Sequence, residues 1–90
     1  MKSFLFELLT PEGAILRNQV EEVLAPGQEG YFGVRAGHAH FATNLKKGSL
    51  TVKWDGHSRC YAVTGGLIQV TPEKVVVCAE SAVLQEVGHT

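Results

Sequence analysis

Ninety residues make one domain, and a domain of this size buries only about 60–65% of the surface its unfolded chain exposes, so the core is thin and leaves little room for a deep active-site pocket. Eight basic residues against nine acidic ones give a net charge of −1, which excludes a nucleic-acid binder held by phosphate neutralisation, since that carries a basic excess. No apolar run approaches the roughly 20 residues of a membrane-spanning helix, and the run 4–9 is too short and too interrupted by Glu7 for a signal peptide, so the chain reads as soluble, with docking onto a membrane-bound partner left open.

Period-two alternation recurs along the chain and helical periodicity is almost absent. Phe4, Phe6 and Leu8 alternate with Ser3, Leu5 and Glu7, which predicts a first strand. Pro11-Glu12-Gly13 is a turn, and 14–18 reads as a short strand. Val20 and Val23 bracket Glu21 and Glu22, and the strand that follows ends at Pro26-Gly27. Glycines at 27, 30, 33, 37 and 48 then exclude a helix. Each is a candidate for positive φ or for close approach of another group to the backbone. The chain between 25 and 50 must turn repeatedly, with very short extended pieces, and this predicts a shaped surface.

Leu50, Val52 and Trp54 alternate with Thr51 and Lys53, and Asp55-Gly56 follows at once. Arg59, Tyr61 and Val63 then alternate with Cys60, Ala62 and Thr64. An Asp-Gly pair between two alternating runs predicts a tight hairpin. Gly65-Gly66 closes that strand, 67–70 forms another, and Thr71-Pro72-Glu73 stops it. The run 75–79 is apolar on both faces, which predicts a central strand covered from both sides, or one lying under a partner. Residues 82–87 read as the last strand. About ten short strands in one domain over 1–90, with no repeat or linker, predict an all-β sandwich or flattened barrel.

Chemistry-bearing residues are sparse. Cys60 and Cys78 sit in predicted strands among apolar neighbours and read as small buried hydrophobes in a reducing compartment. His38-Ala39-His40 can point two imidazoles one way, but the positions where a third ligand would follow hold Asn44 and Leu45, so no metal site is expected. The serines lack a nucleophile-elbow context, and Gly65-Gly66 precedes a strand instead of a helix, so it cannot cradle phosphate. Glu21 and Glu22 are adjacent, face opposite sides if extended, and read as solvated or as partner contacts. Tyr31 and Phe32 stand between glycines near a loop apex. Phe32 suits either a core plug or an interface, and Tyr31, pointing the other way, is the stronger interface candidate.

Several blocks carry a resemblance: Thr10-Pro11-Glu12-Gly13; Pro26-Gly27, Glu29-Gly30, Phe32-Gly33-Val34, Gly37-His38-Ala39, Thr43, Leu45-Lys46 and Gly48; and Thr64-Gly65-Gly66-Leu67-Ile68-Gln69-Val70-Thr71-Pro72. In order and spacing, from Phe4 to about Glu80, the chain resembles the ε subunit of F-type ATP synthases, called δ in mitochondria. That resemblance implies a ten-stranded β-sandwich without enzymatic activity or cofactor. It would be a central-stalk subunit joining γ to the membrane c-ring, within a complex that also holds α and β, and supporting the coupling of proton or sodium transport to ATP synthesis. It implies γ contacts at Arg35, His38, Ala39, His40 and Thr43, and c-ring contacts at Glu29, Gly30, Tyr31 and Phe32. It implies no nucleic acid, no direct membrane insertion, and a peripheral place on the cytoplasmic face of the bacterial inner membrane.

The chain departs from the family in places. The position of Tyr31 often carries an acidic or polar residue there, so an aromatic or phenol hydrogen-bonding contact is expected instead of a charged one. Arg35-Ala36-Gly37-His38-Ala39-His40 replaces the family's Leu-Pro-Gly-His-Ala-Pro, and losing both prolines loosens the loop. The helical hairpin that usually follows the sandwich, a brake on ATP hydrolysis, has no counterpart in these residues, and the expectation is coupling without that brake. The rival reading is a free-standing β-sandwich module binding a ligand such as a sugar or peptide on an aromatic platform of Trp54, Tyr61 and Tyr31. The phase of Trp54 with Leu50 and Val52 favours an inner-sheet placement over a platform.

Overall fold

The structure is a computed structural model that describes residues 2–37 and 40–89. Ten strands follow one another: β1 (Phe4–Thr10), β2 (Gly13–Val20), β3 (Glu22–Gly27), β4 (Gly30–Arg35), β5 (Phe41–Leu45), β6 (Gly48–Trp54), β7 (His57–Val63), β8 (Gly66–Val70), β9 (Lys74–Ala79) and β10 (Ala82–His89), with no helix among the described residues. They pair in the order β10-β7-β6-β3-β5-β8-β9-β1-β2, and β4 lies on the free side of β3. The sheet folds over at β3, which pairs with β4 from Glu22 to Gly27, with β6 at Glu22–Leu24, and with β5 at Gly27 alone. The corner between β5 and β6 is pinned where the Lys46 N–H donates to the Pro26 carbonyl at 2.8 Å. The result is the expected all-β sandwich, one half β10-β7-β6-β3-β4 and the other β5-β8-β9-β1-β2.

Alternation decides what each strand buries. Phe4, Phe6 and Leu8 of β1, Leu50 and Val52 of β6, Tyr61 and Val63 of β7 and Ile68 and Val70 of β8 all point inward, and no polar or charged side chain is buried among the described residues. Each fully buried Leu, Ile, Val or Phe contributes roughly 1.5–3 kcal/mol. The β6–β7 hairpin turns in two residues, Asp55 at φ 51° and Gly56 at φ 76°. Both are left-handed, as a type I′ turn requires, and the register closes with Trp54 opposite His57.

One expectation is narrowed and another needs correction. The run 75–79 is central in the sheet order, and within the chain its strand is covered on one side only, which leaves the alternative of a strand under a partner: Val75, Val77 and Ala79 are buried, Val76 is half-buried and Cys78 is exposed. Cys78 is therefore not a buried hydrophobe, and Cys60 is only half-buried on the outer side of the other half. Both thiols are free. The physical reason is the same in each case. Strict alternation sends residues 76 and 78 outward, and Val and Cys carry no polar label that marks an outer position.

The outer side of β1 holds an ion cluster. The Glu7 carboxylate takes the Lys74 ammonium at 3.0 Å and the Arg17 guanidinium at 3.0 Å, because Glu7 stands opposite Arg17 on β2 and Val76, next to Lys74, on β9. The hydrogen bond from Lys74 holds the Glu7 carboxyl below its ordinary value, against the opposing pull of desolvation, and the charges of Lys74 and Arg17 add to the lowering. A depressed folded value contributes stability that is present above the unfolded carboxyl's value, about 4.3, and is lost as pH falls through the lower folded value. Glu7→Gln is expected to be less stable than the parent at neutral pH, with the gap between their urea midpoints closing below about pH 4. A second position tests the turn into β8. Gly66 has φ 149°, and a Cβ there would fall on the Cys78 carbonyl. Gly66→Ala is expected to cost at least about 2 kcal/mol in urea unfolding.

Candidate functional site

β3 and β4 are joined by Gln28-Glu29, with Gly27 opposite Gly30. Because successive strand residues face opposite sides, the two aromatics that open β4 separate. Tyr31 points outward and is 62% exposed. Phe32 points inward, is half-buried, and meets Phe41 edge-to-face with ring centroids 5.8 Å apart. This pair closes the open side of the sandwich between β4 and β5.

Both aromatics lie back over glycines. The Phe32 ring occupies the space a Cβ at Gly27 would need, at 2.8 Å. The Tyr31 hydroxyl likewise lies 2.7 Å from where a Cβ at Gly48 would stand, and it accepts the Ser49 N–H at 2.9 Å. Tyr31 is therefore not a free phenol waiting for a partner. Its oxygen already ties the β3–β4 turn to the start of β6, and what it offers outward is the ring and its own proton. Gly27, Gln28, Glu29, Gly30, Tyr31 and Phe32 form a shallow depression of about 410 Å³ with Thr43 of β5, and Glu29 is its charged group.

The structure brings Glu29, Gly30, Tyr31 and Phe32 together, as the resemblance implied for one partner. It divides the set implied for the other. Thr43 lies with the aromatics and His40 directly precedes Phe41, whose ring meets Phe32, whereas Arg35 lies at the far end of the β3–β4 pair. Register places Gly27–Gly30 at one end of the β3–β4 pair and Glu22–Arg35 at the other, a separation of about 17 Å at the usual strand rise. Arg35 meets Glu22 at 3.4 Å, Lys53 meets the same carboxylate at 4.0 Å, and His40 is exposed. Glu22 is thus ion-paired within the chain, not simply solvated. His38 and Ala39 lie outside the described residues.

Trp54 is half-buried against the core, with the Arg59 guanidinium 5.6 Å over its ring and His57 at 6.3 Å, so it presents no open platform. Among the described residues no three His, Cys, Asp or Glu side chains converge to hold a metal ion. Sequence reasoning missed the role of Gly48 and Ser49 as the seat of the Tyr31 hydroxyl. The signal was there only in part: Gly48 was one of the marked glycines, but nothing in the sequence pairs it with residue 31.

Residues 3–85 match the family model described as ATP synthase, Delta/Epsilon chain, beta-sandwich domain. The chain is 45% identical over 82 residues to the ATP synthase epsilon chain of Brucella anthropi, covering 90% of this chain and 61% of that one. It is 46% identical over 76 residues to that of Anaeromyxobacter sp. (strain K), covering 84% and 58%. It thus spans about three-fifths of the length of these relatives. A chain in the cryo-EM structure of the Euglena gracilis mitochondrial ATP synthase, OSCP/F1/c-ring in rotational state 1, superposes with a TM-score of 0.86 at 27% identity, over 91% of this chain and 53% of that one. A chain of the Tetrahymena thermophila mitochondrial ATP synthase central stalk/c-ring structure superposes with a TM-score of 0.75 at 14% identity, over 90% and 66%, a likeness of fold alone.

The contact between Tyr31 and Gly48 makes a prediction about coupling between the two positions. Gly48→Ala alone is expected to destabilise the sandwich by about 1–3 kcal/mol through overpacking. Combined with Tyr31→Phe, which removes the clashing oxygen, the cost is expected to fall short of the sum of the single variants by at least about 0.5 kcal/mol. Urea unfolding of the four proteins in the cycle measures it.

Proposed function

The chain belongs to the ATP synthase delta/epsilon family, and from that premise we propose that it is a non-catalytic central-stalk subunit of an F-type ATP synthase. In this reading it joins the γ subunit to the membrane c-ring, in a complex that also holds α and β. Its task is mechanical: rotation driven by proton or sodium flow must pass between ring and shaft without slip. The subunit sits peripherally, on the cytoplasmic face of a bacterial inner membrane, as part of the F1 sector. It needs neither cofactor nor nucleic acid.

The observation that carries the reading is the family match over 3–85, which runs from β1 into β10. The physics of the molecule suits the task. A continuous pairing order with an apolar core gives a body that resists shear. The β3–β4 turn is held by the Tyr31 hydroxyl, so a partner meets a preformed surface at little ordering cost. No described helix is long and apolar enough to cross a membrane. We assign coupling to the sandwich and leave the braking of ATP hydrolysis, which the resemblance gives to a helical segment, out of its role.

Membranes stripped of their own ε subunit test this. Adding the chain is expected to restore ATP-driven ion pumping, and failure of an intact, folded chain to restore any pumping contradicts the proposal. Tyr31→Ala is expected to need about tenfold more protein for the same recovery, the loss of about 1.4 kcal/mol that truncating a contacting aromatic brings. Thermal unfolding of the variant separates lost contact from lost fold.

A further inference from the structure

Two strands away from Tyr31 the sheet lacks a rung. β3 pairs with β6 only from Glu22 to Leu24, and the same register carried further would set Pro26 opposite Ser49. Pro26 has no N–H to give, and its carbonyl is taken by the Lys46 N–H at 2.8 Å. The Ser49 N–H goes instead to the Tyr31 hydroxyl at 2.9 Å. Tyr31 stands opposite Pro26 on β4, so its ring crosses the buried Pro26 to reach β6, and the oxygen settles where Gly48 has no side chain. The hydroxyl stands in for the absent rung.

That duty uses only half of what a phenol can do, since the group both accepts and donates. The acceptor side is occupied, and among the described residues nothing accepts the Tyr31 proton. Taking an N–H polarises the O–H and makes it a better donor. The side chain is held at its backbone and at its oxygen, so the donor is aimed before any partner arrives. Tyr31 is 62% exposed, and water satisfies the proton while the surface is free. A partner that covers the ring removes that water, and a buried donor left unpaired costs its full desolvation. Whatever covers Tyr31 must therefore supply an acceptor. A lysine or arginine has none. A carboxylate would sit beside Glu29, the charged group of the same depression. An uncharged carbonyl oxygen is the acceptor that fits.

We infer that Tyr31 is a hydrogen-bond relay, taking the Ser49 N–H and giving its own proton to an uncharged carbonyl oxygen on the facing protein. This rests on the central-stalk reading, in which the turn meets the c-ring. The hydroxyl then has two separable duties, one within the chain and one across the contact.

Fluorine separates them, because it makes a phenol a stronger donor and a weaker acceptor. The chain, Tyr31→Phe, and chains carrying 3-fluorotyrosine or 3-fluorophenylalanine at position 31 are titrated onto membranes stripped of their own ε subunit. The titration is run at slightly acidic pH, where both phenols keep their protons, and at a temperature where all four chains are folded. Tyr31→Phe is expected to bind about fivefold more weakly than the parent. The 3-fluorotyrosine chain is expected to bind at least about twofold more tightly than the parent, and the 3-fluorophenylalanine chain no more tightly than Tyr31→Phe. The ratio of parent to Tyr31→Phe affinity is expected to hold from low to high salt. A hydroxyl that only braced Ser49 would lose by fluorination, so 3-fluorotyrosine binding no tighter than the parent overturns the relay. Tyr31→Phe binding as well as the parent, or an equal gain from 3-fluorophenylalanine, also overturns it. A ratio that shrinks with salt marks a charged acceptor and overturns the carbonyl. Each of these leaves the central-stalk reading standing. Failure of the parent chain to bind stripped membranes overturns that reading and the relay with it.

Discussion

β3 has to serve both halves of the sandwich, and the rest of the structure follows from how it does so. One edge carries β4 along its whole length. The other edge is shared, with β6 at its beginning and β5 only at its last residue, Gly27. That sharing is possible because the chain turns at the β5–β6 corner, where the Lys46 N–H bonds the Pro26 carbonyl. At this same end Gly27 yields its side-chain space to Phe32, Gly48 yields its own to Tyr31, and Phe32 meets Phe41 across the gap between the halves. The fold-over of the sheet and the shape of the β3–β4 surface are therefore one structural event.

This clarifies what was legible in the sequence. Alternation gave the strands and their inner faces because one side of each is solvated, and Asp55-Gly56 gave the hairpin because few dipeptides accept two left-handed residues in succession. The run 75–79 misled because alternation is read from contrast, and Val-Val-Val-Cys-Ala has none. The glycines between 25 and 50 were correctly marked as special, but their reasons divide. Gly30 and Gly37 take positive φ, a local property. Gly27 and Gly48 make way for aromatic groups four or more residues distant, and that is a tertiary property no local pattern contains. The Tyr31–Ser49 hydrogen bond and the pairing of Glu22 with Arg35 and Lys53 were out of reach for the same reason. The resemblance located the turn that holds Glu29 to Phe32, but it could not say that Thr43 lies with that turn and Arg35 about 17 Å from it.

In the proposed central-stalk role, stiffness matters more than chemistry. Among the described residues, seventeen buried apolar side chains form a single cluster, and all neighbouring strand pairs are antiparallel except β1 with β9. Such a body bends little under load, because shearing one strand past its neighbour breaks a ladder and misplaces every inward residue together. The ion cluster of Glu7 with Arg17 and Lys74 spans β2, β1 and β9 on the outer side, so it braces the one parallel pair against sliding.

The most direct test of the central claim is recovery of the tagged chain from solubilised membranes of its source, with co-purifying proteins identified by mass spectrometry. The account predicts γ and c together with α and β. Recovery of the chain alone, or with unrelated peptides or sugars, would contradict it and leave only a shared fold.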